Sequence, residues 1–498
     1  MGVMRFLVYP ESVLLDWPEV HRGSITGLDQ SAWSTRIDVE GQTVICRRMN
    51  SDSGKFNVAW PVEGFGRPVL TTANLPERQE PYVLVVELAR GKIVQLRNQL
   101  AQWQAGGMLI PNDFTGLSRE AHLLLAKSVA VQSDPAQASS LAQRALERAC
   151  QAADLLTRSY AHQRLHVRHR QYPQLPTILG GSLGDTPLSP ALQQEFLKTF
   201  SGAAVPLQWR HIEPEEGHYC WDVCDAQIEW AQANNLLIRG GPLLDLSTDG
   251  LPKWLSQWEN DFWNLQSFVC DFVETVVSRY LGKIRIWEVA ARGNSGGALA
   301  LAEENRLQLV AKVLEVARRV DEDGQFLIRV DQPWGDYQAR GQHKLSPMHF
   351  ADALVRAGIS LSAINLEIAV GYSPSGSPSR DLLDFSRLID FWSVLGIPLQ
   401  VTLAFPSATS PDNMVTTDLE VDSRSWRGQI SEASQAAWLD EHVSLLLAKP
   451  GVVAVFWNHF TDAQPHRFPH AGLVRPDGSA KPALHDLQKL RERHWPLS

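Results

Sequence analysis

A chain of 498 residues, 44% of them hydrophobic, can bury more than one core, because single cores rarely grow past about 250–300 residues. Its 46 Lys and Arg stand against 55 Asp and Glu, a net charge of -9, and no basic run interrupts that balance. Nucleic acid and an anionic membrane surface are therefore excluded as expected partners.

The opening MGVMRFLVYPESVLLDW has no long apolar core and no small-residue cleavage site, so it does not read as a signal peptide. No segment approaches the roughly 18 uninterrupted apolar residues of a membrane span. The expectation is a soluble, cytoplasmic protein. Five cysteines scattered along the chain argue against a disulfide framework, and the C-x3-C spacing of Cys220 and Cys224 lacks a second ligand pair for zinc.

In chain order, three textures follow one another. Residues 1–105 carry short alternating runs, TVIC, FNVAW and PYVLVVEL, between Gly, Pro, Asn and Asp turns, which predicts a small β-rich domain, either a cap or a carbohydrate-binding module. Residues 106–172 contain REAHLLLAKSVAV and ASSLAQRALERACQAADLLTRSYAHQRL, apolar at helical spacing and rich in helix formers, which predicts a helical hairpin. No linker rich in Pro, Gly or Ser separates the parts, which favours the cap.

Residues 173–498 alternate short apolar runs with longer amphipathic ones. The strand candidates are TILGGSL, AAVPLQW, LLIRGG, KIRIWEVAA, QFLIRV, SAINLEIAV, PLQVTLAF and VVAVFW. Eight such units, each followed by a helical stretch, predict an α/β fold, a closed (β/α)8 TIM barrel. A ligand site then belongs at the C-terminal ends of the strands. The residues there are Gln208, Trp209, Asp245, Glu288, Arg292, Asn294, Asp331, Trp334, Glu367, Tyr372, Leu403, Phe405, Trp457 and Asp462. Aromatic faces with polar neighbours suit a carbohydrate.

Each of these has a plainer reading. With 17 tryptophans in the chain, any one of them is more often core than sugar platform. In NLEIAV the alternation turns Glu367 into the barrel, where a structural ion pair with Arg292 competes with a functional role. His459, His466 and His470 cluster in NHFTDAQPHRFPH without ligand spacing, so no metal is expected. No nucleophile elbow, P-loop or dinucleotide fingerprint occurs in the right context, and no cofactor is expected. Nothing in the sequence specifies an oligomeric state.

The segment from VPLQWRHIEPEEGHYCW through LIRGGPLLDLSTDGLPKWL, then IWEVAARGN, SAINLEIAV, LGIPLQVTLAFPS, VFWNHFTD and GLVRPDGSAKPAL, resembles glycoside hydrolase family 10, the xylanase-type retaining enzymes. The resemblance covers roughly residues 173–495 and implies the barrel fold and a carbohydrate ligand. Retention uses two carboxyl groups about 5–5.5 Å apart. The family's acid/base, which follows an asparagine on strand four, falls at Arg292 after Ala291, and its nucleophile on strand seven falls at Leu403 after Thr402. Supporting polar positions hold Ala369 and Phe405, sugar-binding ones Val205, Pro206 and Gln208, and two histidines are replaced by Gly241 and Asp245. Arginine keeps its proton and leucine has none to exchange.

Three functions follow as expectations. One is a barrel that binds an oligosaccharide with standard hydrolysis lost or altered, a candidate pseudoenzyme whose ligand contacts are Gln208, Trp209, Arg292, Asn294, Asp331, Trp334, Tyr372, Trp457 and Asp462. Another is an active O-glycosyl hydrolase with relocated carboxylates, Glu367 with Asp245, Asp331 or Asp462. The third is an inert scaffolding barrel.

Overall fold

The structure, a computed structural model, describes residues 2–341, 343–424 and 426–496. The alternating runs of the C-terminal part form eight parallel strands: β1 (Ile178–Ser182), β2 (Gly202–Val205), β3 (Leu237–Gly240), β4 (Ile286–Ala291), β5 (Gln325–Asp331), β6 (Ala363–Ala369), β7 (Leu399–Ala404) and β8 (Val452–Trp457). Each pairs with the next, and β8 pairs with β1 through Ala454 opposite Ile178, so the sheet closes. A two-residue segment, Leu244–Asp245, prolongs the third strand against the end of β4. The expected TIM barrel is present.

Side-chain alternation sorts each strand into two faces. On β6 and β7, Leu366, Ile368, Val401 and Leu403 join the large core between sheet and helices. Asn365, Glu367, Gln400 and Thr402 engage polar partners inside the barrel. The apolar positions fill the space under the eight outer helices, and the polar ones meet in the middle. That middle is where the site lies.

Ahead of the barrel stand two four-stranded sheets, joined across their inner faces by Phe6 stacked on Phe56 at 4.8 Å. Three helices follow, α1 (Leu84–Ala105), α2 (Asn112–Ala130) and α3 (Pro135–Gln171). The last two make the hairpin. The run PYVLVVEL, read from sequence as a strand, contributes only Tyr82–Val83 to a sheet and then enters α1. A short continuous apolar run does not by itself distinguish a buried strand from a buried helix.

The helices are pinned to the barrel by buried contacts. Lys92 of α1 meets Asp381 at 2.5 Å with both side chains almost fully buried. Trp103 of α1 stacks on Tyr160 of α3 at 4.1 Å, with the Lys449 ammonium 4.9 Å from the Tyr160 ring. Arg168 of α3 donates to the Leu447 carbonyl.

His442, in the barrel helix Glu432–Ala448, stacks on Trp438 at 4.0 Å. Burial pushes its pKa down to about 3, whereas an unfolded histidine titrates near about 6.5. Between those values the unfolded chain binds the extra proton, so stability is present above the interval and falls as pH is lowered through it. This residue is expected to contribute a slope of up to about 1.4 kcal/mol per pH unit. Urea denaturation at a series of pH values should show a shallower acid loss in His442→Gln, and equal slopes in the two proteins would refute the assignment.

Candidate functional site

A cavity of about 360 Å³ opens at the C-terminal ends of the strands, lined by Gln208, Asp245, Arg292 and Asp331 from the residues named by sequence, with Asp185, Arg239, Arg329, Thr402, Tyr337 and Arg467 beside them. Beneath it runs a continuous ionic network. Arg292, just past β4, donates to Asp245 at 2.7 Å and to both oxygens of Glu367 at 2.6 and 2.8 Å. Arg329 of β5 bridges Glu367 at 3.0 Å and Glu288 at 2.5 Å. Glu288 accepts from Asn365 at 2.6 Å, and Asn365 accepts from the Thr402 hydroxyl at 3.0 Å. Arg239 of β3 closes the ring on Gln400 and Thr402, its guanidinium 3.7 Å from the centre of the Phe456 ring.

Protonation follows from this pairing. Burial alone would raise the Asp245 carboxyl, but the charge of Arg292, then Arg467 and the Ser247 N–H, outweighs it and holds the group at about 2. Glu367 is treated alike: burial opposes ionisation, while Arg292 and Arg329 prevail and keep it below its ordinary value. Both stay ionised and are poor proton donors near neutral pH as a result. Asp331 runs the other way, raised by burial and by the charge of Glu367 against the pull of Arg292. Asp185 is also raised by burial. Arg292 adopts a left-handed backbone, φ 58°, a conformation that costs a side-chain-bearing residue about 1–2 kcal/mol. Its N–H donates to the Arg329 carbonyl at 3.1 Å and its carbonyl accepts from Gly296 at 2.8 Å, which holds the turn in place.

Other expected contacts lie elsewhere. Trp209 opens a short helix, is 1% exposed, stacks on Phe272 and donates to Glu213. Trp457 donates to the Ala471 carbonyl, and Tyr372 to the Pro469 carbonyl, both inside the protein. Trp334 packs on Phe385 beneath Arg380. Asn294 supports the site from behind, donating to the Asp331 carbonyl and to Tyr337. Asp462 pairs with Lys481 at 2.5 Å and with His459. Among the described residues these six do not line the cavity. The four aromatic rings expected to stack on sugar pack against protein instead.

Strand seven needs a correction. Leu403 and Phe405 face the helices: Leu403 belongs to the barrel–helix core and Phe405 stacks on Trp438 at 4.9 Å. A nucleophile must face the cavity, so it cannot stand at Leu403. The inward residue nearest it is Thr402, and Ala404 packs with Ala369, Tyr372 and Phe468 in an apolar cluster at the top of β6 and β7. No position of Leu399–Ala404 carries a carboxyl group.

Ligand atoms of His459, Asp462 and His466 lie within 4.8 Å of one another. His466 already has both ring nitrogens bonded, to the Gln464 carbonyl and to Asp412, and Asp462 is held by Lys481. A cation there would have to displace an ammonium.

Residues 197–299 match the sequence profile of glycosyl hydrolase family 10. That part of the barrel is similar in sequence to glycosyl hydrolase family 10. Endo-1,4-beta-xylanase B of Thermotoga neapolitana is 31% identical over 200 residues, 39% of this chain and 55% of that protein. Endo-1,4-beta-xylanase C of Paenibacillus barcinonensis is 25% identical over 274 residues, 48% of this chain and 24% of that protein. The chain thus spans less than two thirds of the length of each relative. Native xylanase 10B from Thermotoga maritima superposes with a TM-score of 0.50 at 18% identity, over 68% of this chain and 98% of that one, a likeness of fold. The barrel surrounds a cavity lined by three further arginines, Arg239, Arg329 and Arg467, that are not among the strand-end residues named from sequence. A lone arginine inside LLIRGG and inside QFLIRV is the signal for the first two, because a charged residue in an otherwise apolar strand has to be paired inside.

Proposed function

We propose that this family-10 barrel binds a carbohydrate and does not run the retaining double displacement at the family's usual strand ends. The observation that carries the reading is Arg292, fixed by Asp245 and Glu367 where a proton donor would stand. The guanidinium cannot give up a proton at a working pH, and β7 offers no carboxylate to form a glycosyl intermediate. Residues 1–172 act as a cap packed on the barrel through α1 and α3. An inert scaffold suits the cavity poorly, since the mouth is open and polar. A relocated acid has one point in its favour, the raised carboxyl of Asp331, yet its suggested partner Glu367 has both oxygens on Arg292 and does not line the cavity.

The relatives are named xylanases, so xylo-oligosaccharides are the first ligands to test. Calorimetric titration with xylotriose to xylohexaose should give saturable heat, while a reducing-end assay on the same solutions shows no new ends. Absence of heat with every sugar sinks the binding reading. Turnover that disappears in Asp331→Asn would establish the relocated acid instead.

A further inference from the structure

We infer that the sugar received by this cavity carries an anionic group, a carboxylate or a sulfate ester, and that Arg467 is its anchor. The inference rests on the carbohydrate-binding reading above and names the chemistry of the ligand.

Arg467 lies in the loop after β8 and lines the cavity. Its Nε is buried without a hydrogen-bond partner. Among the described residues no carboxylate is within ion-pair distance of it, whereas Arg292, Arg329 and Arg239 are each tied to Asp245, Glu367, Glu288 or the polar groups of β7. Asp245, Glu367 and Glu288 are thus already engaged by other cations. Asp331 is occupied with Ser295 and Gln332. What remains is a spare guanidinium at the wall of an open cavity.

A partly buried cation that no carboxylate contacts directly is poorly compensated. Burial first, and then the like charge of Arg292, weakens its hold on its proton, while the charges of Glu367, Asp245 and Asp331 oppose this from beyond ion-pair distance. A guanidinium fork matches the planar pair of oxygens of a carboxylate, or two oxygens of a sulfate, through two parallel bonds. The cavity is several times larger than either ion alone. Gln208, Ser247 and Asp245 line it as well, offering donors and acceptors to ring hydroxyls, so the anion fits as a substituent on a sugar.

The test compares the intact protein with Arg467→Gln by calorimetry at low salt. The probes are neutral xylotetraose, xylotetraose bearing one glucuronic acid, xylotetraose bearing one sulfate ester, and free glucuronate and sulfate. The wild type should bind one or both acidic sugars at least about tenfold more tightly than the neutral one, as a charge-assisted bidentate contact predicts. Arg467→Gln should lose that preference and bind acidic and neutral sugars alike. The tighter of the two acidic arms identifies the source of the anion. Equal affinity for neutral and acidic sugars overturns the inference and leaves the carbohydrate reading standing. Absence of binding by any sugar overturns both. Free anions binding as tightly as the sugars would show an anion site with no sugar specificity, which also overturns it. Thermal unfolding without ligand supplies an independent readout. Arg467→Met should unfold no earlier than the wild type, because it removes a cation held by no direct ion pair, and a large drop would mean that Arg467 is a structural partner.

Discussion

Replacing Arg292 by methionine is expected to destabilise the folded chain by about 3–5 kcal/mol, the effect of leaving two buried carboxylates without their shared counter-ion. Asp245 and Glu367 both contact that guanidinium, and Glu367 keeps only Arg329 once it is gone. The loss should be read from urea denaturation midpoints near neutral pH, where both carboxyls are ionised. Adding Asp245→Asn and Glu367→Gln to Arg292→Met should recover much of it, since a polar network removed together costs less than one with a single member missing. Arg292→Glu should be worse than Arg292→Met, because it sets a third carboxylate among the two. A fully stable Arg292→Met protein would mean that water reaches Asp245 and Glu367 freely, and the clamp would lose its structural meaning.

Leu403→Glu is expected to destabilise by a similar amount, about 3–5 kcal/mol, and to create no hydrolysis. The side chain is fully buried in the core beneath the helices, so the substitution removes apolar packing and puts a carboxyl where nothing can bond it. Thr402→Glu is the informative contrast. That position faces the cavity beside Arg239, where a new carboxylate has a cation to meet. Circular dichroism melts of the two variants should separate clearly, with Leu403→Glu the less stable. A well-folded Leu403→Glu protein with glycosidase activity would restore Leu403 to the nucleophile position.

The strand-seven slip shows where pattern reading stops. A shift of one residue on a strand exchanges its two faces, and Leu403, the position matched to the nucleophile by order in the sequence, stands on the helix side. The corrective signal was already in PLQVTLAF, where Val401, Leu403 and Phe405 are apolar and Gln400 and Thr402 are not. The aromatics failed for another reason. Whether Trp209 or Trp457 meets a ligand depends on Phe272 and Ala471, partners that are distant in sequence and unseen by any local period.

Sequence alone determined the barrel, because eight alternations of a two-residue and a 3.6-residue period leave few other ways to bury both faces of each strand. It also pointed to the strand ends for a candidate site and offered an ion pair between Arg292 and Glu367 as one of two readings, since a cation and an anion turned into one interior favour pairing. Only the tertiary structure decided that Asp245 completes the clamp, that the expected sugar platforms are occupied by the protein's own core, and that Arg467 is left over. Those are questions of which charges are already matched, and matching is settled by distances between strands that the chain order does not encode.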